Sequence, residues 1–462
     1  MIAVSSIPDS QVRHLLTRGE SHFFDLKSKK IAPAKLTRTL SAFANADGGE
    51  LLIGVEEFED GKFRWDGFSS QEEANGIIQC FEQFFPIGTY FRYNFLSNEK
   101  ENGFTLLCEI EKTPDLKKGS DDKIYLRRGA QNLPQVTPEE IHRLNLNKGL
   151  ISFEDQTISA EKDIITNSSA IIEFSLDIIP LSEPESWLRK QRLLNQEKPT
   201  VAGIVLFSDE PQTDLPKASV KLYRYRTSDM EGTRATLDFD PKAVEGNAYS
   251  QIFSAVSEIK RLIENIPVVG QSGLERIEYP TEAIHEIVTN AVIHRDYSLN
   301  DDTHVRIFDN RIEIQSPGIL PAHINTKNIL NERFARNPKI VRILNKFKNP
   351  PNKDVGEGLN TAFQAMRNLK LKDPEILQRD GSVLVILKHE KLGSPEQLIV
   401  EYLRTNEEIN NATGRAICQI GSENTMKRHF QRMLSSELIE RIPNRPQSKT
   451  GYRKGRNFPK DK

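Results

Sequence analysis

The feature that most constrains this chain is the passage from residue 23 to residue 55. Phe23-Phe24-Asp25-Leu26-Lys27 reads as a strand. Residues 33–46 read as a helix, because Leu36, Leu40 and Phe43 fall at i, i+4 and i+7, one face of a 3.6-residue period. Asp47-Gly48-Gly49 ends that helix. Leu51-Leu52-Ile53-Gly54-Val55 then reads as a strand buried on both faces. Strand, helix, strand in this order predicts layered α/β architecture.

With 462 residues there is room for about three domains at roughly 150 residues each. Apolar residues make up 37% and charged residues 28%, which excludes disorder as the main state. Three regions separate by pattern, at 1–150, 151–392 and 393–462. A polar junction near 137–148 divides the first two. The second opens with a poorly patterned stretch. Residues 201–207 and 218–225 then read as strands, and 248–266 and 280–294 as helices. Residues 303–308 and 311–315 read as strands around an Asp309-Asn310 turn.

The third region differs in charge. Residues 394–462 hold 13 Lys+Arg against 8 Asp+Glu, so a net charge of −2 for the whole chain hides a basic tail on an acidic body. Short helices near 395–404, 411–419 and 422–434 precede a β-wing from Ile439 to Tyr452. That is the pattern of a winged helix-turn-helix, whose second helix enters the major groove while basic residues hold phosphates.

Several classes are excluded. Cys80, Cys108 and Cys418 are too scattered for a disulfide scaffold or a CxxC zinc site, and they fit a reducing cytoplasm. No run approaches 18 apolar residues, so no membrane partner is expected. The start, Met1-Ile2-Ala3-Val4, lacks a basic n-region and long apolar core, so no secretion signal is expected. No GxxxxGK[ST] is present. His294-Arg295-Asp296 echoes a kinase catalytic loop, but Asn300 comes one residue too soon. The nine histidines form no HExxH.

Two constellations carry candidate chemistry. Asp25 and Lys27 lie two apart on one strand face, and Glu20 and Glu57 flank them in sequence. Three converging carboxylates can hold Mg²⁺ or Mn²⁺ for phosphodiester cleavage, with the lysine steadying a phosphate. Spacing alone fits three solvated carboxylates near turns as well. In the second helix Ile284, Val288 and Ala291 make an apolar stripe, and Glu286 and Asn290 stack four apart on the other side. The glutamate can orient or deprotonate a water, and the amide oxygen can bind Mg²⁺ on a nucleotide. An ordinary polar helix face has the same spacing. Ser316-Pro317-Gly318 and Gly356-Glu357-Gly358 offer glycines that let backbone N–H groups approach phosphates.

The residues carry resemblances. Glu20-Ser21-His22-Phe23-Phe24-Asp25-Leu26-Lys27, the run from Ser41 through Asp47-Gly48-Gly49 to Glu57, and Tyr125-Leu126-Arg127-Arg128-Gly129 resemble the Schlafen AlbA-type domain. That group includes metal-dependent ribonucleases that cut transfer RNA. The resemblance implies Glu20, Asp25 and Glu57 as its metal-binding, catalytic acids, two of them swapped between Asp and Glu, with Lys27 beside them. Many bacterial relatives with these motifs bind nucleic acid or regulate.

The second region resembles the histidine-kinase/gyrase-like (GHKL) ATPase module, an α/β sandwich. The carriers are Thr281 through Tyr297, Arg311 through Gly318, Arg336-Asn337-Pro338 and Gly356 to Leu359. The resemblance implies Mg²⁺-ATP at Glu286, Asn290, Gly318, Gly356 and Gly358. Ser316-Pro317-Gly318 stands where the family's Asp-x-Gly-x-Gly reads adenine.

The expectation is a cytoplasmic, self-associating multidomain protein of α/β and α+β class: an AlbA-type mixed sheet, a GHKL-like sandwich and a winged helix. It would be a nucleotide-regulated, metal-dependent nuclease, with RNA favoured over DNA, in phage defence. The alternative is an ATP-binding transcriptional regulator that binds DNA without cleaving it.

Overall fold

The structure is a computed structural model. It describes residues 2–58, 61–264, 266–270, 273–276, 278–351, 358–390, 395–418, 420–443 and 450–459. Mixed sheets and helices alternate along the chain, a mixed α/β multidomain architecture.

The first unit rests on a five-stranded sheet in the order Val4–Ser6, Phe91–Ser97, Thr105–Ile110, Gly49–Ile53, Phe24–Lys27. The last two strands run parallel, from Phe24 opposite Glu50 to Lys27 opposite Ile53. Helix Pro33–Asn45 makes the crossover between them. Its apolar stripe is inside: Leu36, Leu40 and Phe43 pack with Leu51, Ile53, Phe81 and Phe95. Each such side chain contributes about 1.5–3 kcal/mol by leaving water. Leu52 faces a second core with Leu26, Val12 and Leu15, so the strand is covered on both sides. It begins and ends two residues earlier than expected. Gly54 takes φ +100, and the chain turns into Val55–Glu57, which pairs with Phe63–Trp65 in a separate hairpin.

The polar junction proves to be a helix, Pro138–Lys148. Thr137 and Glu140 form a reciprocal capping box at its start, and Gly149 closes it in the left-handed region. Lys148 at its end is 2% exposed and donates to the carbonyls of Ala44 and Thr113.

The second unit holds a six-stranded sheet in the order Lys242–Val244, Val220–Arg224, Thr303–Ile307, Arg311–Pro317, Ser382–Lys388, Glu375–Arg379. Helices Ala248–Ile263, Thr281–Ile293 and Gly358–Asn368 bury their apolar faces against Val305, Ile312, Ile314 and Leu387. The expected hairpin around Asp309-Asn310 forms, with the Phe308 N–H donating to the Arg311 carbonyl at 2.8 Å. One expectation fails: Val201–Phe207 is a helix, not a strand. An apolar run of seven fits either when buried all round. Here Thr200 decides locally, its side chain accepting the Gly203 N–H at 3.2 Å as an N-cap, and all seven residues are buried.

The last unit has helices Pro395–Thr405, Asn411–Cys418 and Glu423–Ser435, and a sheet in the order Ile409–Asn410, Gly451–Lys454, Ile439–Arg441. Ile399, Met426, Phe430, Met433 and Tyr452 form its core. Among the described residues no helix is long and apolar enough to cross a membrane.

Candidate functional site

Helix Thr281–Ile293 buries Ile284, Val288 and Ala291 and leaves Glu286 and Asn290 on its other side. The expected pairing is present: the Asn290 amide donates to Glu286 Oε1 at 2.8 Å. Burial pushes the Glu286 carboxyl above its ordinary range, against the Asn290 hydrogen bond that favours the charged form. The two line a cavity of about 300 Å³, shared with Ser316, Pro317, Gly318 and Gly358. That size lies at the lower end for small-molecule sites.

One wall of the cavity depends on close backbone approach. Gly318 sits at φ +108, its N–H donating to the Gly381 carbonyl at 2.8 Å. A Cβ there would lie 2.8 Å from Asp296 Cβ. Gly358 opens helix Gly358–Asn368, and a Cβ on it would face Glu286 Oε1 at 3.9 Å. A helix N-terminus beside the carboxylate favours its ionised form and offers N–H groups to an anion. Ser316 does not project a free hydroxyl; its Oγ donates to the Ala291 carbonyl at 2.7 Å. Most of the remaining lining is apolar, including Ile314, Leu320, Ile324 and Val385. His294 also lines it, and burial holds its imidazole down to about 4, neutral at pH 7. Gly356 lies outside the described residues.

In the first unit Glu20, Asp25 and Lys27 meet. Lys27 Nζ lies 2.7 Å from both Glu20 Oε1 and Asp25 Oδ1. Asp25 is 1% exposed, and its other oxygen takes Arg127 and Thr39, each at 3.4 Å. Burial pushes Asp25 up to about 6, helped by its hydrogen bond to Glu20 and opposed by Lys27 and Arg127. Desolvation works against ionisation of Glu20. The hydrogen bonds from Asp25 and Lys27 outweigh that and hold it below its usual range. The pair therefore shares a proton in mildly acidic solution.

Glu57 is not brought to this pair. It is exposed, on the hairpin that leaves the sheet at Gly54. Among the described residues no three His, Cys, Asp or Glu side chains form a group able to hold a metal ion. The expected trio is thus a duo, because one glycine turns the chain before the third acid. The two carboxylates converge on the Lys27 ammonium, which balances their charge. Arg127, which the sequence marks only as part of the Tyr125–Gly129 motif, gains a role here. Its guanidinium, 1% exposed, holds Asp25 and the Ser21 carbonyl.

Both centres fall within or beside regions that match known families. Residues 20–136 match the family model described as Schlafen, AlbA_2, which spans Glu20, Asp25, Lys27 and Glu57. Residues 300–387 match the model described as Putative ATP-dependent DNA helicase recG C-terminal, which contains Gly318, Gly356 and Gly358. Glu286 and Asn290 lie just upstream of that match. No curated protein matches the chain. A solved structure, the DIP2311 protein from Corynebacterium diphtheriae, is 17% identical over 96% of each chain, with a TM-score of 0.43.

Proposed function

We propose that this chain is a nucleotide-regulated, nucleic-acid-binding protein that cleaves RNA in preference to DNA with the help of a divalent ion, in phage defence. The observation that carries the reading is the cavity. Glu286, Asn290, Gly318 and Gly358, spread over three separate segments, line one space. The Schlafen-type match over 20–136 and the ATPase-like match over 300–387 support joining nucleic acid to nucleotide in one chain.

In this reading Asn290 would hold Mg²⁺-ATP by its amide oxygen, while Glu286 orients a water. The N–H groups near Gly318 and Gly358 would receive phosphate oxygens. In the first unit Glu20 and Asp25 would hold Mg²⁺ or Mn²⁺, which supplies charge neutralisation at the phosphodiester and a more acidic water. Lys27 steadies the scissile phosphate, and Arg127 fixes Asp25 in place.

The test incubates purified protein with tRNA and with DNA in the presence of Mn²⁺, beside a Glu20→Ala/Asp25→Ala variant. Cleavage by the wild type alone is expected; equal inertness of both ends the nuclease reading. Titration calorimetry with ATP and Mg²⁺ addresses the cavity, where Asn290→Ala should abolish binding.

A second reading has its own observation: Glu57 stands apart from the acid pair. On this reading the chain is an ATP-binding regulator of transcription that binds duplex DNA without cutting it. Helix Glu423–Ser435 would serve as the recognition helix of a winged helix-turn-helix, with Ile439–Arg441 and Gly451–Lys454 as its wing.

A further inference from the structure

One wall of the cavity is held by a side chain from the other unit. Lys112 follows strand Thr105–Ile110 of the first unit and is 3% exposed. Its ammonium donates to the Leu320 carbonyl at 2.8 Å and the Ile324 carbonyl at 3.4 Å, and both residues line the cavity. It also pairs with Asp47 Oδ1 at 3.7 Å. Asp47 accepts Gln378 Nε2 at 3.1 Å, and Gln378 Oε1 accepts the Leu320 N–H at 3.0 Å. Leu320 is therefore gripped at both its N–H and its carbonyl, and both grips converge on Asp47.

The same carboxylate reaches toward the acid pair. Asp47 Oδ2 meets His22 Nε2 at 3.2 Å, two residues from Glu20. Ser21, between them, gives its carbonyl to Arg127 at 2.7 Å, and Arg127 pairs with Asp25. Lys112 has more than two hundred residues of chain between it and the carbonyls it holds. The loop's own Arg336 holds the neighbouring Ile319 carbonyl, and those of Leu320 and Ile324 go to Lys112.

We infer that Lys112 is a positioning residue for the cavity: it fixes residues 320–324 in their ligand-accepting shape. Through Asp47 and His22 it also ties that loop to the segment carrying Glu20. The inference rests on reading the cavity as a nucleotide site. A ligand pressing on Leu320 or Ile324 changes the grip on Asp47, and the strain reaches His22 along fixed hydrogen bonds. Two sites so joined share a coupling free energy that acts in both directions.

The test uses the full chain carrying Lys112→Met, with Asp47→Asn as a milder second variant. Asp47→Asn keeps an acceptor for Gln378 but loses the charge facing Lys112. Without nucleotide, hydrogen exchange at Leu320 and Ile324 in Lys112→Met should be at least about tenfold faster, since two carbonyls lose their buried donor. Unchanged exchange there overturns the anchoring role. With ATP and Mg²⁺, wild type should gain protection over residues 20–27, and both variants should lose that gain. Lys112→Met should bind ATP at least about tenfold more weakly; wild-type affinity overturns the inference. If wild type binds no ATP, the nucleotide reading fails and the exchange result alone judges the anchor. If Lys112→Met does not fold, Asp47→Asn decides: retained protection of 20–27 on ATP binding overturns the coupling.

Discussion

Replacing Gly318 by alanine tests one wall of the cavity, and Gly381 is its internal control. The two are neighbours, since the Gly318 N–H donates to the Gly381 carbonyl. Both have positive φ, +108 and +73. They differ in room. A Cβ on Gly318 would lie 2.8 Å from Asp296 Cβ and 3.3 Å from Asp296 N, while a Cβ on Gly381 meets nothing within 4 Å. Asp296 cannot easily withdraw. It is 2% exposed and held by Arg143, Arg336 and Ser298. Gly381→Ala should therefore cost only its backbone strain, about 1–2 kcal/mol. Gly318→Ala adds a steric conflict of about 1–3 kcal/mol to a strain of about 1–3 kcal/mol, or about 2–6 kcal/mol together. Trp187 is buried in the core of this unit, and Trp65 is the chain's other tryptophan. Urea unfolding followed by fluorescence in a Trp65→Phe background reports the unit alone. Equal midpoints for the two alanine variants would refute the claim that Gly318 is demanded by its neighbours. In the same samples, Gly318→Ala should bind ATP more weakly than Gly381→Ala.

Charge sets the other expected outcomes. Asp25 is pushed up to about 6, so below that pH a proton competes with a metal ion for the pair. Mn²⁺ affinity measured by calorimetry should rise from about pH 5 to pH 7, and Asp25→Asn should flatten the rise; an equally steep profile in the variant defeats the assignment. His294 is held down to about 4 by burial, below its ordinary 6.5, so the unfolded chain takes up the proton first. Its contribution to stability is present above about pH 6.5 and diminishes as pH falls toward 4. His294→Gln should show a smaller drop in urea midpoint between pH 7 and pH 5, and an undiminished drop speaks against it. Residues 394–462 carry 13 Lys+Arg. Their removal should lower duplex-DNA affinity and reduce the salt slope, by roughly 0.9 for each phosphate no longer neutralised. Unchanged affinity excludes the tail as a DNA-binding unit.

The sequence was most legible where periodicity and a stop signal coincided. Leu36, Leu40 and Phe43 with Asp47-Gly48-Gly49 placed a helix within a residue of its observed end. Glu286 and Asn290 were readable as a pair because helical spacing alone brings such residues together. Val201–Phe207 was misread because burial on all sides erases the period that separates helix from strand. Glu57 was misplaced for another reason: the run 51–55 looked continuous, and only the positive φ of Gly54 shows where the chain leaves the sheet. Residues 137–148 looked like a junction because most of that helix is polar and its capping box outweighs its weak apolar stripe.

The chain by itself determined those local elements with a clear period and stop signal, and the identity of two chemical pairs, Glu286 with Asn290 and Asp25 with Lys27. Those depend on spacing within one helix or one strand, where backbone geometry fixes which side chains meet. Tertiary structure decided which distant groups joined them. It brought Gly318 and Gly358 to Glu286, set Arg127 behind Asp25, kept Glu57 away, and carried Lys112 across to the Leu320 carbonyl. Such meetings depend on the registers of sheets and the packing of whole units, and no spacing along a single segment encodes those.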